Sequence, residues 1–192
     1  MSKIKELTWE HHKNAERQQF AKLLISGEIH PDLYATYLWN QHKKYDILEA
    51  MLMAQGIMGE VGDIRRKLLI EEDFSELWKH NVEPFIVSST VEYLDHMRTI
   101  MHDRDALIAH MYVLYMGDLS GGQMIKKKIP GSGKMYEFDG DVAEIKEKIR
   151  TLVTDDMAEE ARWVFASATK QFQELMELDI ERHLESSSTV SS

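Results

Sequence analysis

Apolar residues recur at intervals of three and four along most of this chain, and no stretch alternates apolar and polar residues as a half-buried strand does. That period confines the fold to packed helices. Ile4, Leu7, Trp9, Phe20, Leu23 and Leu24 outline a first helix of about twenty residues, with Gly27 as its stop. Pro31 and Asp32 open a second helix, which runs through Tyr34, Leu38, Trp39, Tyr45, Leu48 and Met51 towards Gly56. Gly56, Gly59 and Gly62 punctuate a loop, and short helices are predicted over 63–69 and 74–80. Ser88, Ser89 and Thr90 supply N-caps for a helix near 91–100, and Asp103 starts another over 105–128. Pro130 and Gly131 end that pattern, residues 132–140 read as a polar loop, and two more helices cover 141–152 and 155–185. Residues 186–192 have little to pack and are expected to be disordered. The expectation is one all-α domain over residues 1–185.

Charge and cysteine usage narrow the functional classes. Thirty-three acidic against 23 basic residues give a net charge of −10, which disfavours nucleic-acid binding. The absence of cysteine excludes disulfides, thiolate catalysis, iron–sulfur clusters and Cys-based zinc sites. It suits a cytoplasmic location. No run of about 20 apolar residues is present, so no membrane span is expected. The first residues also lack the apolar core of a signal peptide.

The segment Tyr112 to Ile125 breaks the helical rules. Gly117, Gly121 and Gly122 fall inside an otherwise apolar helical run, and each interior glycine costs about 1 kcal/mol relative to alanine. One reading is a loop between two shorter helices. The other is a kinked helix whose missing Cβ atoms let main chain lie against a flat ligand, with Asp118 as the polar group facing it. Earlier in the chain, His12 and Glu16 stand at i, i+4 and share a helical face. A carboxylate there could accept the Nδ1–H and leave Nε2 for a metal, although by itself the spacing is better explained by a solvated surface pair. Lys146 and Arg150 also stand at i, i+4 and, with Lys5, could meet an anionic group. A charged solvated face beside Glu144 and Glu147 is the alternative.

Together these residues resemble the heme oxygenase family. Its distal signature is matched by Tyr115-Met116-Gly117-Asp118-Leu119-Ser120-Gly121-Gly122-Gln123, and its proximal His–x–x–Ala–Glu by His12-Lys13-Asn14-Ala15-Glu16. The C-terminal pattern is matched by Glu159-Glu160-Ala161, Phe165 and Phe172, and order and spacing hold over residues 4–178. The resemblance implies a single-domain helical bundle holding heme between a proximal helix and a kinked distal helix. It implies that His12 is the axial iron ligand, with Glu16 as its hydrogen-bond partner. Gly117, Gly121 and Gly122 would lie at the heme face, and Asp118 would anchor waters beside bound dioxygen. Lys5, Tyr112, Lys146 and Arg150 match positions that hold the propionates, and Phe165 and Phe172 would wall the pocket. Leu114 stands where many members carry an Arg, and Trp9 where a basic residue is frequent.

The activity implied is cleavage of heme, as both substrate and cofactor, to biliverdin (the IX-alpha isomer), ferrous iron and carbon monoxide. Electrons would come from a partner, because no flavin or nicotinamide motif is present. A ferredoxin steered to a basic rim of Lys126, Lys127, Lys128, Lys146, Lys148 and Arg150 is expected, whereas Lys126 to Lys128 equally suit a helix C-terminus. The lack of a C-terminal membrane anchor suggests, by resemblance, a microbial, plastid or phage type. A heme carrier without turnover would share His12 and Glu16 but has no use for bare main chain beside Asp118. A di-iron carboxylate bundle fails, because no Glu is followed by His three residues on.

Overall fold

The computed structural model describes residues 1–189, and among these every regular element is helical. Eleven α-helices run in chain order: α1 (Ile4–Leu7), α2 (Trp9–Glu16), α3 (Gln19–Ser26), α4 (Pro31–Ala54), α5 (Ile57–Val61), α6 (Lys67–Leu77), α7 (Ser88–Thr99), α8 (Arg104–Ile125), α9 (Val142–Leu152), α10 (Ala158–Met176) and α11 (Ile180–Thr189). Short 3-10 turns, Lys134–Tyr136 and Asp155–Met157, precede α9 and α10.

Three long helices form the frame. Pro31 sits at the N-terminus of α4, where its missing N–H costs nothing. The His30 ring accepts the Asp32 N–H at 3.1 Å. Asp103 caps α8 by accepting the Ala106 N–H at 3.0 Å. The apolar stripe of α4, including Tyr34, Leu38, Tyr45, Leu48 and Leu52, is fully or almost fully buried. It packs on α6, α7 and α8, while α10 packs on α2, α3, α7 and α8. The chain's opening segment is thereby laid along α10. At the end of α3, Gly27 turns the chain with φ +79°, and a Cβ there would stand 2.7 Å from the Lys128 carbonyl oxygen. That position accepts only glycine, for both reasons.

Several boundaries differ from those expected. The first predicted helix is three pieces, parted at Thr8 and again at Arg17 and Gln18. Local periodicity cannot detect a break whose neighbouring pieces keep the same buried face. The glycine-punctuated loop contains α5, because Ile57, Met58 and Val61 find a core to enter. The separate short helices at 63–69 and 74–80 are the single helix α6. The loop at 132–140 is not uniformly polar in setting: Met135 and Tyr136 are buried, and the Asp73 carboxylate accepts the N–H groups of Lys134 and Met135 at 2.9 and 2.8 Å. Helix α11 extends to Thr189, into the segment expected to have little to pack. Residues 190–192 lie outside the described residues.

Candidate functional site

Helix α8 is uninterrupted through all three of its glycines, which excludes a loop between two shorter helices. The glycines do different things. Gly117 and Gly121, four residues apart, share an exposed face, and a Cβ on either would meet nothing within 4 Å. Gly122 points inward, where a Cβ would lie 2.3 Å from Cδ1 of Tyr136. Gly122 therefore belongs to core packing and not, as expected, to the open face.

Asp118 lies on the buried side of α8, 7% exposed. The Tyr45 hydroxyl of α4 donates to its Oδ2. Four residues along α4 the pairing reverses, and the Tyr115 hydroxyl of α8 donates to Glu49 Oε1 at 2.8 Å. Each helix thus gives a tyrosine to the other's carboxylate, with the two rings edge-on at 5.4 Å between centroids. Glu49 also accepts the backbone N–H groups of Arg66 and Lys67. Two buried cations stand by. Lys44 Nζ lies 3.4 Å from Gln171 Oε1 and 4.8 Å from the Tyr93 ring centroid. The Arg66 guanidinium donates to the carbonyls of Ile64, Met135 and Glu137.

Burial pushes Asp118 from its ordinary 3.8 up to about 7, against the opposing pull of the Tyr45 hydrogen bond, Arg66 and Lys44. Burial likewise lowers Lys44 to about 8, with Asp118 opposing. Asp118 is thus a group that gains and loses a proton near neutrality. The sign of its effect on stability follows. The folded chain holds the Asp118 proton to higher pH than the unfolded chain, so stability falls as pH rises from the ordinary carboxylate range to about 7. Asp118→Asn keeps an acceptor for Tyr45 and removes the charge. Its gain in unfolding free energy is expected to be about 2 kcal/mol larger at pH 8 than at pH 5. Thermal melts of both proteins at the two pH values check this; a gain independent of pH would contradict the burial argument.

Helix α2 presents His12. Its ring stacks on Trp9 at 5.9 Å and meets Phe165 edge-on at 5.5 Å. Nδ1 is buried without a partner, while Nε2 faces Glu16 Oε1 at 3.4 Å. The ring orientation is thus the reverse of the expected one. The contact is also long for a hydrogen bond, because Lys13 Nζ holds the same carboxylate at 2.7 Å. His11, by contrast, is exposed.

The remaining expected residues fall into two groups. Tyr112 on α8 lies close enough to Arg150 on α9 for the guanidinium to oppose the upward push of burial on its hydroxyl. Lys146 is half-buried on the same helix. Phe165 adjoins His12, whereas the partly buried Phe172 stacks on Phe20 at 5.2 Å and reaches Tyr37 at the edge of the core. Lys5 is exposed on α1, a helix anchored by Asp155, which accepts from Ser2 Oγ at 2.8 Å and the Lys3 N–H at 2.6 Å. Much of the basic rim has local partners: Lys126 with Glu137, Lys148 with Glu144 and Arg150 with Glu147. Lys128 donates to the Ile25 carbonyl near the end of α3, as a helix-terminal lysine does.

Lys44 and Glu49 were not picked out from the sequence, and Tyr45 and Tyr115 were given no role in the site. A signal existed. Asn40, Gln41, Lys44 and Glu49 fall within the same stretch of α4 whose apolar members fill the core, and all four are buried. Polar residues on a buried stripe need partners, and that need marks them.

Residues 1–181 match the family described as heme oxygenase. A heme oxygenase of Guillardia theta is 30% identical over 207 residues, covering 90% of this chain and 84% of that protein. One from Pyropia yezoensis is 29% identical over 154 residues, covering 72% of this chain and 65% of the relative's length. Heme oxygenase-1 of the cyanobacterium Synechocystis sp. PCC6803, solved in complex with heme, superposes with a TM-score of 0.80 at 25% identity, covering 98% of this chain and 95% of that one.

Proposed function

The chain belongs to the heme oxygenase family, and from that premise we propose that its domain, residues 1–185, binds heme between α2 and α8 and cleaves it oxidatively to biliverdin IX-alpha, ferrous iron and carbon monoxide. The observation that carries this reading is the pairing of two unfilled features. One is the open face left by Gly117 and Gly121; the other is a histidine with a buried, unpartnered ring nitrogen. Both suit a flat macrocycle with a central metal. Bound heme supplies the iron at which dioxygen is reduced.

Each residue's task follows from its place. His12 ligates the iron, and Glu16 orients its ring; a carboxylate shared with Lys13 pulls only weakly on the imidazole. Gly117 and Gly121 admit main chain close to the bound group and leave no side chain to block one edge of it. Asp118, titrating near neutrality and held by Tyr45, orders water and passes a proton through it. Lys5, Tyr112, Lys146 and Arg150 would hold the propionates and so fix the rotation of the bound ring. Phe165 and Phe172 keep water from the proximal side. Electrons come from a ferredoxin docked on the lysines beside α9, in the cytoplasm. Among the described residues no helix is long and apolar enough to cross a membrane.

The test is addition of hemin and then ascorbate in air. A Soret band that decays as bilin absorbance grows is the expected result. A Soret band that persists under reduction would mark a heme carrier instead.

A further inference from the structure

Away from the glycine face of α8, metal-ligating side chains from three helices meet. His96 of α7, His110 of α8 and Glu160 of α10 bring their donor atoms within 4.8 Å of one another. Both imidazoles point Nε2 at the same carboxylate oxygen, Glu160 Oε1, at 2.5 Å from His96 and 2.7 Å from His110. His110 lies two turns before Asp118, eight residues and so roughly 12 Å along the helix. The cluster is therefore separate from the site described above.

The ligand set is already held in place. Nδ1 of His110 meets the Tyr93 hydroxyl at 2.8 Å, an outer contact that fixes the ring with Nε2 inward. His96 stacks on Trp163 at 3.8 Å between centroids. The His110 side chain is fully buried, while those of His96 and Glu160 are each 23% exposed. The cluster therefore has a dry floor and a mouth open to water. Two imidazoles, one carboxylate and access for one water form a donor set that suits a borderline divalent cation and leaves hard ions such as Mg²⁺ poorly served.

We propose that His96, His110 and Glu160 bind a divalent transition-metal ion of the zinc class, which joins α7, α8 and α10. Each imidazole offers the ion a bare Nε2 by carrying its single proton on Nδ1, which at His110 is donated to the Tyr93 hydroxyl, so neither ring becomes an imidazolate. Ligand atoms at about 2.0–2.1 Å from a tetrahedral ion stand roughly 3.3 Å apart. The two imidazole–carboxylate contacts must therefore each lengthen by less than 1 Å, which the partly exposed Glu160 and His96 allow.

The probe is Zn²⁺ alone, titrated by calorimetry into the full chain against a competing chelator, with Mg²⁺ as the comparison. One site per chain and a higher melting temperature are expected for Zn²⁺, and neither for Mg²⁺. His96→Ala and Glu160→Gln should each weaken that site at least 100-fold. The double variant His11→Ala/His12→Ala should keep it. Crystals soaked in Zn²⁺ should show an anomalous peak among the three side chains. A site retained in His96→Ala, one lost in the His11/His12 variant, a peak elsewhere, or no site at all would overturn the proposal.

Discussion

Replacing His12 by alanine is expected to lower bilin formation from hemin by more than about 100-fold, because loss of a ligand exceeds the 10- to 100-fold cost of losing a supporting group. The fold should survive. The His12 side chain is 40% exposed, and substitutions at such positions usually change stability by about 0.5 kcal/mol or less. Three readouts separate ligand loss from damage to the fold: the melting temperature, the hemin-binding spectrum and the single-turnover rate in ascorbate. Free imidazole should restore part of the rate by entering the space left behind. His11→Ala should leave the rate unchanged, since its side chain projects into solvent. A wild-type rate in His12→Ala, or a lost rate in His11→Ala, would reverse the assignment.

The neighbouring glycines 121 and 122 should respond in opposite ways. Gly122→Ala drives a methyl group into Tyr136, at 2.3 Å from the ring as it stands, and overpacking of this kind costs about 1–3 kcal/mol. For a chain of this length each kcal/mol lowers the melting temperature by about 2–4 °C, so a fall approaching 10 °C is expected. Gly121→Ala meets open space. It should raise helix stability by up to about 1 kcal/mol, yet lower hemin affinity and turnover by placing a side chain on the bare face. Melts and hemin titrations of the two variants test the division between a packing glycine and a site glycine. Undiminished affinity and turnover in a stabilised Gly121→Ala would remove that face from the site.

The behaviour of α8 shows where local sequence stops being informative. Three helix-destabilising residues within six positions point to a penalty accepted for some purpose. Spacing alone cannot separate Gly122 from its neighbours, because the partner that excludes its Cβ is Tyr136, fourteen residues away on a different element. The same holds for Asp118. Its side chain is short and acidic in any reading, but its proton affinity is set by burial and by Tyr45, 73 residues distant. His12 and Glu16 were legible as a pair from i, i+4 spacing. Which ring nitrogen meets the carboxylate depended on Lys13, Trp9 and Phe165 together.

Apolar period, capping residues and the glycine–aspartate segment suffice to define an all-helical chain, its longest helices and the side chains that carry the proposed chemistry. These follow from energies that act within a turn or two of helix, so neighbours in the chain decide them. The reciprocal tyrosine–carboxylate pairing of α4 with α8, the titration of Asp118 near neutrality, the inward role of Gly122 and the meeting of His96, His110 and Glu160 all required the packed molecule. Each depends on desolvation and on contacts between groups far apart in the chain, which come into being only when the helices close on one another.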